Sequence, residues 1–126
     1  MRLARRPALF LLPLAAAACM RAGPAGPYTA RGYEPGWILE IASGRMHYLG
    51  DNGTVRIEVA AAKPRPIANG YRYDVSEGGH RLTVDVTHAV CYGASGQGYA
   101  DTVAVDADGK RVEGCGGKEV AGKRAS

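Results

Sequence analysis

From Tyr28 onward, apolar and polar residues alternate with a period of two, and Gly, Asp, Asn and Pro break the alternation about every ten residues. Successive side chains of a strand point to opposite faces, so this pattern builds a sheet with one buried face; no stretch keeps helical spacing for about three turns. Trp37, Leu39 and Ile41 alternate with Ile38 and Glu40, Ser43-Gly44 turns the chain, and Met46 to Leu49 follows. Asp51-Asn52-Gly53 is a hairpin signal leading into Thr54 to Ala61, where Val55, Ile57 and Val59 share a face opposite Arg56 and Glu58. Proline has no backbone donor, so Lys63 to Pro66 is a loop or an edge. Tyr71, Tyr73 and Val75 resume the alternation, Glu77-Gly78-Gly79 turns, and Arg81 to Cys91 reads as the longest strand, with Leu82, Val84 and Val86 inward. After the Gly-rich segment Tyr92 to Tyr99 come Thr102 to Val105, a turn at Asp106 to Lys110, and a last strand over Arg111 to Cys115 with an extension to Val120. The expected fold is all-β: a small antiparallel meander of about seven or eight strands, closed into an up-and-down barrel to remove its edges. A two-sheet sandwich is the alternative.

The first residues follow a different logic. Arg2, Arg5 and Arg6 precede an apolar run from Ala8 to Ala18, interrupted by Pro13. Crossing a bilayer takes about 20 apolar residues, so the run reads as the signal peptide of an exported chain and not as an anchor helix. Ala16, Ala17, Ala18 and Cys19 resemble a bacterial lipobox, with Ala16 where leucine is preferred; the resemblance implies a diacylglycerol anchor on Cys19. The same alanines form an A-x-A site, whose use would give simple secretion. The resulting division is 1–18 signal peptide, 19–27 lipidated Pro/Gly-rich tether, and 28–126 one β-barrel domain. Met20, and not Asp, follows the cysteine, so the expected place is the outer membrane, facing the periplasm.

Export also accounts for the charge. Three of sixteen basic residues and none of the twelve acidic ones lie in the signal, so the formal +4 falls to +1 on cleavage, and no nucleic-acid partner is implied. The remaining 108 residues suffice for one core, and a monomer is expected. With Cys19 taken by lipid, Cys91 and Cys115 are left to pair in an oxidising compartment.

The sequence offers no catalytic constellation. Gly93-Ala94-Ser95 begins a serine elbow, but Gln97 stands where its second glycine belongs. His47, His80 and His88 lack paired ligand spacing and read as surface or edge residues, so neither a metal nor a cofactor is implied. Asp106, Asp108 and Gly109 resemble the start of a calcium loop without its later ligands, and a hairpin turn explains them. Glu34 and Glu40 have no neighbouring proton acceptor in sequence, and an enzyme would need Glu34, His88 and Ser95 brought together by the fold.

Gly32, Glu34, Pro35 and Trp37, in GYEPGWILEI, resemble the G-x-E-P-x-W opening of a family of small bacterial envelope proteins and lipoproteins, some of which accompany META domains. The likeness continues through Cys91, Gly93, Ser95 and Tyr99 of a loop motif to Gly114-Cys115-Gly116 at the end. The loop departs from the family pattern in lacking its acidic residues and in carrying Ala94 and Ala100 where methionine and proline stand. The resemblance implies a non-enzymatic envelope lipoprotein, its domain a binding or structural module for a protein partner or a small ligand. Physically, Pro35-Gly36 bends the chain to drop Trp37 into the barrel end, with Glu34 placed to cap backbone amides. Ser95, Gly96 and Tyr99 also look like the S-G-x-x-Y motif of inhibitors of c-type lysozyme, themselves small disulfide-containing β-barrels. That likeness implies a Ser95 loop inserted between the catalytic carboxylates of lysozyme; the Y-x-x-x-T-K-G motif of those inhibitors is absent.

Overall fold

The computed structural model describes residues 23–24 and 26–122; the expected signal peptide, Cys19 and residues 20–22 of the expected tether lie outside the described residues. The described residues form ten strands: β1 (Tyr28–Gly32), β2 (Trp37–Ala42), β3 (Arg45–Gly50), β4 (Val55–Ala60), β5 (Arg65–Ile67), β6 (Gly70–Glu77), β7 (His80–Thr87), β8 (Cys91–Tyr92), β9 (Gly98–Ala107) and β10 (Lys110–Val120). All neighbours are antiparallel, in the order β4-β3-β2-β1-β10-β9-β7-β6-β5, with β8 pairing β9. The all-β expectation is met, and one sheet, not two, curls around the core as a half-barrel.

Three differences from the sequence reading have local causes. First, β1 was not expected as a strand, because its inward residues are Tyr28, Ala30 and Gly32, which carry little apolar signal; yet it joins two meanders by pairing with both β2 and β10. Second, the expected strand from Arg81 to Cys91 is broken after Thr87. The Asn69 carbonyl accepts from the His88 amide (2.8 Å), its side-chain amide donates to the His88 carbonyl (3.0 Å), and the Thr102 hydroxyl bonds the Ala89 carbonyl. These bonds hold a bulge between β7 and β8, and the longest strand is β10, of 11 residues. Third, the barrel does not close by backbone pairing. Lys63 to Pro66 is both of the things expected of it: Pro64 lies in the loop, and Pro66 sits in the three-residue edge strand β5, which pairs only with the start of β6. The gap between β4 and the end of β6 is bridged by side chains, the Ala60 amide donating to Glu77 Oε1 (2.9 Å) and Arg45 lying 3.9 Å from the same carboxylate.

The inward faces match the period-two reading. Leu39, Met46, Ile57, Val59, Leu82, Val84, Val86, Val103 and Val105 are fully buried. Burial of each such side chain contributes about 1.5 to 3 kcal/mol before conformational entropy is counted. On the outer face Arg72 and Asp85, directly opposed on β6 and β7, form a two-point ion pair that holds the Asp85 carboxyl below its usual range. The turns at Ser43-Gly44, Gly78-Gly79 and Asp108-Gly109 all carry the positive φ that tight hairpins need.

Candidate functional site

The turn from β1 to β2 is built around one indole. Trp37 is buried beside Tyr48, and its Nε1 donates to the Glu113 carbonyl (3.4 Å). Its seat has no room for side chains: a Cβ on Gly32 would lie 2.2 Å from Nε1, and one on Gly114 would lie 2.8 Å from Cζ2 and 2.2 Å from the Arg31 carbonyl oxygen. Gly32, Trp37 and Gly114 therefore form one packed unit, which physically couples the G-x-E-P-x-W opening to the closing Gly114-Cys115-Gly116. The expected role of Glu34 as an amide cap is corrected. Asn52 does that work, its Oδ1 accepting from the Gly36 amide and its backbone N–H donating to the Gly36 carbonyl, both at 2.9 Å. Glu34, at φ 62°, is exposed.

Next to this seat, Cys91 of β8 is bonded to Cys115 of β10, with their Cα atoms 5.3 Å apart, as the cysteine count implied. The segment between β8 and β9 is a compact turn. The Gly93 amide donates to the Gln97 carbonyl (2.8 Å) and the Gly96 amide to the Gly93 carbonyl (2.9 Å). Gln97 Nε2 reaches the Val120 carbonyl at 3.4 Å, which fastens the turn to the end of β10. Ser95 is exposed and Tyr99 half-buried.

Between the two turns lies a cleft of about 370 Å³. Gly32 and Glu34, Ser95 and Tyr99, and both cysteines line it, so residues quoted from three separated segments meet in one place. Pro35, Trp37 and Gly96 do not line it. The sequence reading missed Arg31, Tyr33, Tyr92, Gln97 and Glu113, which complete its wall. Tyr33 (61% exposed) and Tyr92 (49%) are two of the three large hydrophobic side chains most exposed among the described residues. The cleft therefore brings two exposed aromatic rings together with carboxylates, a guanidinium and a hydroxyl, groups capable of stacking and of hydrogen bonding. The chain matches no protein-family model, no curated protein and no solved structure.

His88 is not brought to Glu34 and Ser95. It lines a separate hollow of about 800 Å³, where its Nδ1 lies 2.9 Å from Asp101 Oδ1. The Tyr28 hydroxyl donates to Asp101 Oδ2 (2.7 Å). Burial first, and then the adjacent carboxylate, push the Tyr28 phenol far above its ordinary value. His47 and His80 are surface residues beside Glu58 and Asp108, and Glu40 lies on the outer face of β2, away from Glu34. Among the described residues no group of three or more His, Cys, Asp or Glu is placed to hold a metal ion, and Asp106, Asp108 and Gly109 form a hairpin turn in which Asp106 Oδ1 caps the Gly109 amide.

Proposed function

We propose that this chain is a non-enzymatic lipoprotein of the cell envelope, of the G-x-E-P-x-W type, whose half-barrel is a binding module with the Ser95 cleft as its site. The observation that carries the reading is the convergence of the opening turn, the Gly-rich turn and the disulfide on one cleft rimmed by exposed tyrosines. A barrel end stiffened in this way loses little conformational entropy when a ligand docks. On this reading diacylglycerol on Cys19 anchors the domain at the outer membrane, facing the periplasm; a mature terminus elsewhere would remove the anchor and leave the cleft untouched. Protein-observed amide NMR with separate mixtures of short peptides and oligosaccharides tests the site. Binders are expected to shift the amides of Tyr33, Tyr92 and Ser95, and Tyr92→Ala to weaken them about tenfold, since a stacked aromatic contributes about 1 kcal/mol or more beyond its area. Binders indifferent to that substitution would exclude the cleft.

A second reading, inhibition of c-type lysozyme, is favoured by the exposure of Ser95 on a turn held by two backbone bonds. Against it, Glu34 and Glu113 line the same cleft and would face the carboxylates of the enzyme. Inhibition at about micromolar protein, weakened by Ser95→Ala, would establish it, and no inhibition would dispose of it.

A further inference from the structure

The sheet ends on two edges, β5 and β4, and they are finished differently. β5 is guarded: it has three residues, and Pro66 at its centre offers no backbone donor. β4 has six residues, Val55–Ala60, in unbroken register with β3, and contains no proline, no glycine and no inward charge. Ile57 and Val59 are buried on its inner face, while Arg56, Glu58 and Ala60 are exposed on its outer face.

Two bonds fix which backbone groups this edge presents. The Ala61 amide donates to the Gly44 carbonyl (2.9 Å), on the β3 side, whereas the Ala60 amide points the other way, to Glu77 Oε1 (2.9 Å). Backbone groups alternate in direction along a strand, so Glu58 and Arg56 also turn their N–H and C=O groups outward. Glu77 is the last residue of β6, which runs opposite to β4 across the gap. Ala60 is therefore level with the end of β6, and Glu58 and Arg56 lie past it. The turn that follows does not pack into that space, since a Cβ on Gly78 or Gly79 would meet nothing within 4 Å. Among the described residues no strand pairs with this side of β4.

Charge decides which strand fits. In an antiparallel ladder, outward-pointing residues pair with outward-pointing ones, and Ala60 is already bonded to Glu77. A second β4 laid along the first can then set Arg56 against Arg56, Glu58 against Glu58, or Arg56 against Glu58. The first two registers oppose like charges, which is unfavourable. The third opposes unlike charges twice, because a two-fold axis through Ile57 repeats the Arg56–Glu58 contact in the other direction. Both side chains are available for it. Arg56 stands opposite the apolar Leu49 of β3, and Glu58 is held only at a distance, 3.8 Å from Arg45 and 3.4 Å from His47.

We propose that the occupant of this edge is a second copy of the chain: a two-fold dimer in which Arg56 of each copy meets Glu58 of the other and the two sheets become continuous. The surface is separate from the Ser95 cleft, which none of Arg56, Ile57 and Glu58 lines. The dimer takes the place of the monomer expected from chain length. Two residue pairs, each exchanging both backbone bonds, are a small contact beside a standard interface, so dissociation is expected at about 100 μM.

Sedimentation equilibrium of the purified protein between about 10 μM and about 1 mM, a range that brackets this affinity, tests the proposal. Arg56→Glu and Glu58→Arg, each of which opposes like charges twice, should each weaken the dimer about tenfold. Combining both reversals in one chain should restore it. So should mixing the two single variants in equal amounts, because a heterodimer of them again sets an arginine against each glutamate. Both positions are exposed, and unchanged Trp37 emission shows that each variant keeps its fold. The proposal is overturned if the parent stays monomeric to about 1 mM, as expected were the edge kept for a strand of another protein. It is equally overturned by a dimer that either single reversal leaves intact, or that neither the double reversal nor the mixture restores.

Discussion

Replacing Gly114 by alanine is expected to destabilise the protein by about 3 kcal/mol, at the upper end of what overpacking costs, because neither obstacle can move. The added Cβ would lie 2.2 Å from the Arg31 carbonyl oxygen, which belongs to β1, and 2.8 Å from the Trp37 ring. Arg31 is locked on both sides, in register with Ile38 of β2 and Cys115 of β10. Relief therefore requires β1 and β10 to part, and these strands join the two meanders. Gly26→Ala, where a Cβ meets nothing within 4 Å, is the matched control, and it should stay within about 0.5 kcal/mol of the parent. Trp37 is the single tryptophan, so its emission reports the seat directly. Urea unfolding followed at that wavelength should show an earlier midpoint and a red-shifted native signal for Gly114→Ala. A midpoint within about 1 kcal/mol of the parent would mean that the indole does not rest on Gly114 as described.

The same residues show what a sequence can reveal. Where a strand buries Val, Leu or Ile on alternate positions, as from Leu82 to Val86 or Ile57 to Val59, period two is enough to place the side chains. Glycines in tight turns are equally legible, since few residues reach positive φ cheaply. Illegible are the glycines needed for clearance. Gly32 and Gly114 are separated by most of the chain, and only the β1–β10 pairing, carried by a strand of Tyr28, Ala30 and Gly32, brings both to the indole. The cleft was half visible for the same reason: its motifs were on the page, but Arg31, Tyr33, Tyr92 and Glu113 joined it only through that pairing.

The Asp101 cluster is the instructive failure. Its signal was present, for Asp101 has the same parity as Val103 and Val105, and an acid in an inward phase asks for a partner. Reading the strand as beginning at Thr102 hid that parity, and reading Arg81 to Cys91 as one strand hid the bulge that delivers His88. His88 is a surface residue, as its spacing implies, but that spacing says nothing of a carboxylate thirteen residues on.

Removal of the disulfide, by Cys91→Ser with Cys115→Ser, is expected to cost about 3 to 4 kcal/mol, from the entropy that a bond across 24 residues of sequence removes from the unfolded chain. For a domain of this size that lowers the melting temperature by about 15 to 25 °C. The native state should change as well, and unevenly. β8 has two residues and pairs with β9 alone, so its place beside β10 depends on the covalent link. Hydrogen exchange should accelerate at Tyr92 to Tyr99 well before it does at Val84 or Val103, which lie in the buried centre of the sheet. Uniform acceleration would show that the bond acts only through the unfolded chain. Acceleration confined to the Gly-rich turn would show that the bond holds one wall of the cleft in place, and ligands of that cleft should then bind more weakly by the cost of ordering the turn. Mass spectrometry without reductant checks the premise, since two free thiols would leave the Ser95 turn without a covalent link to β10.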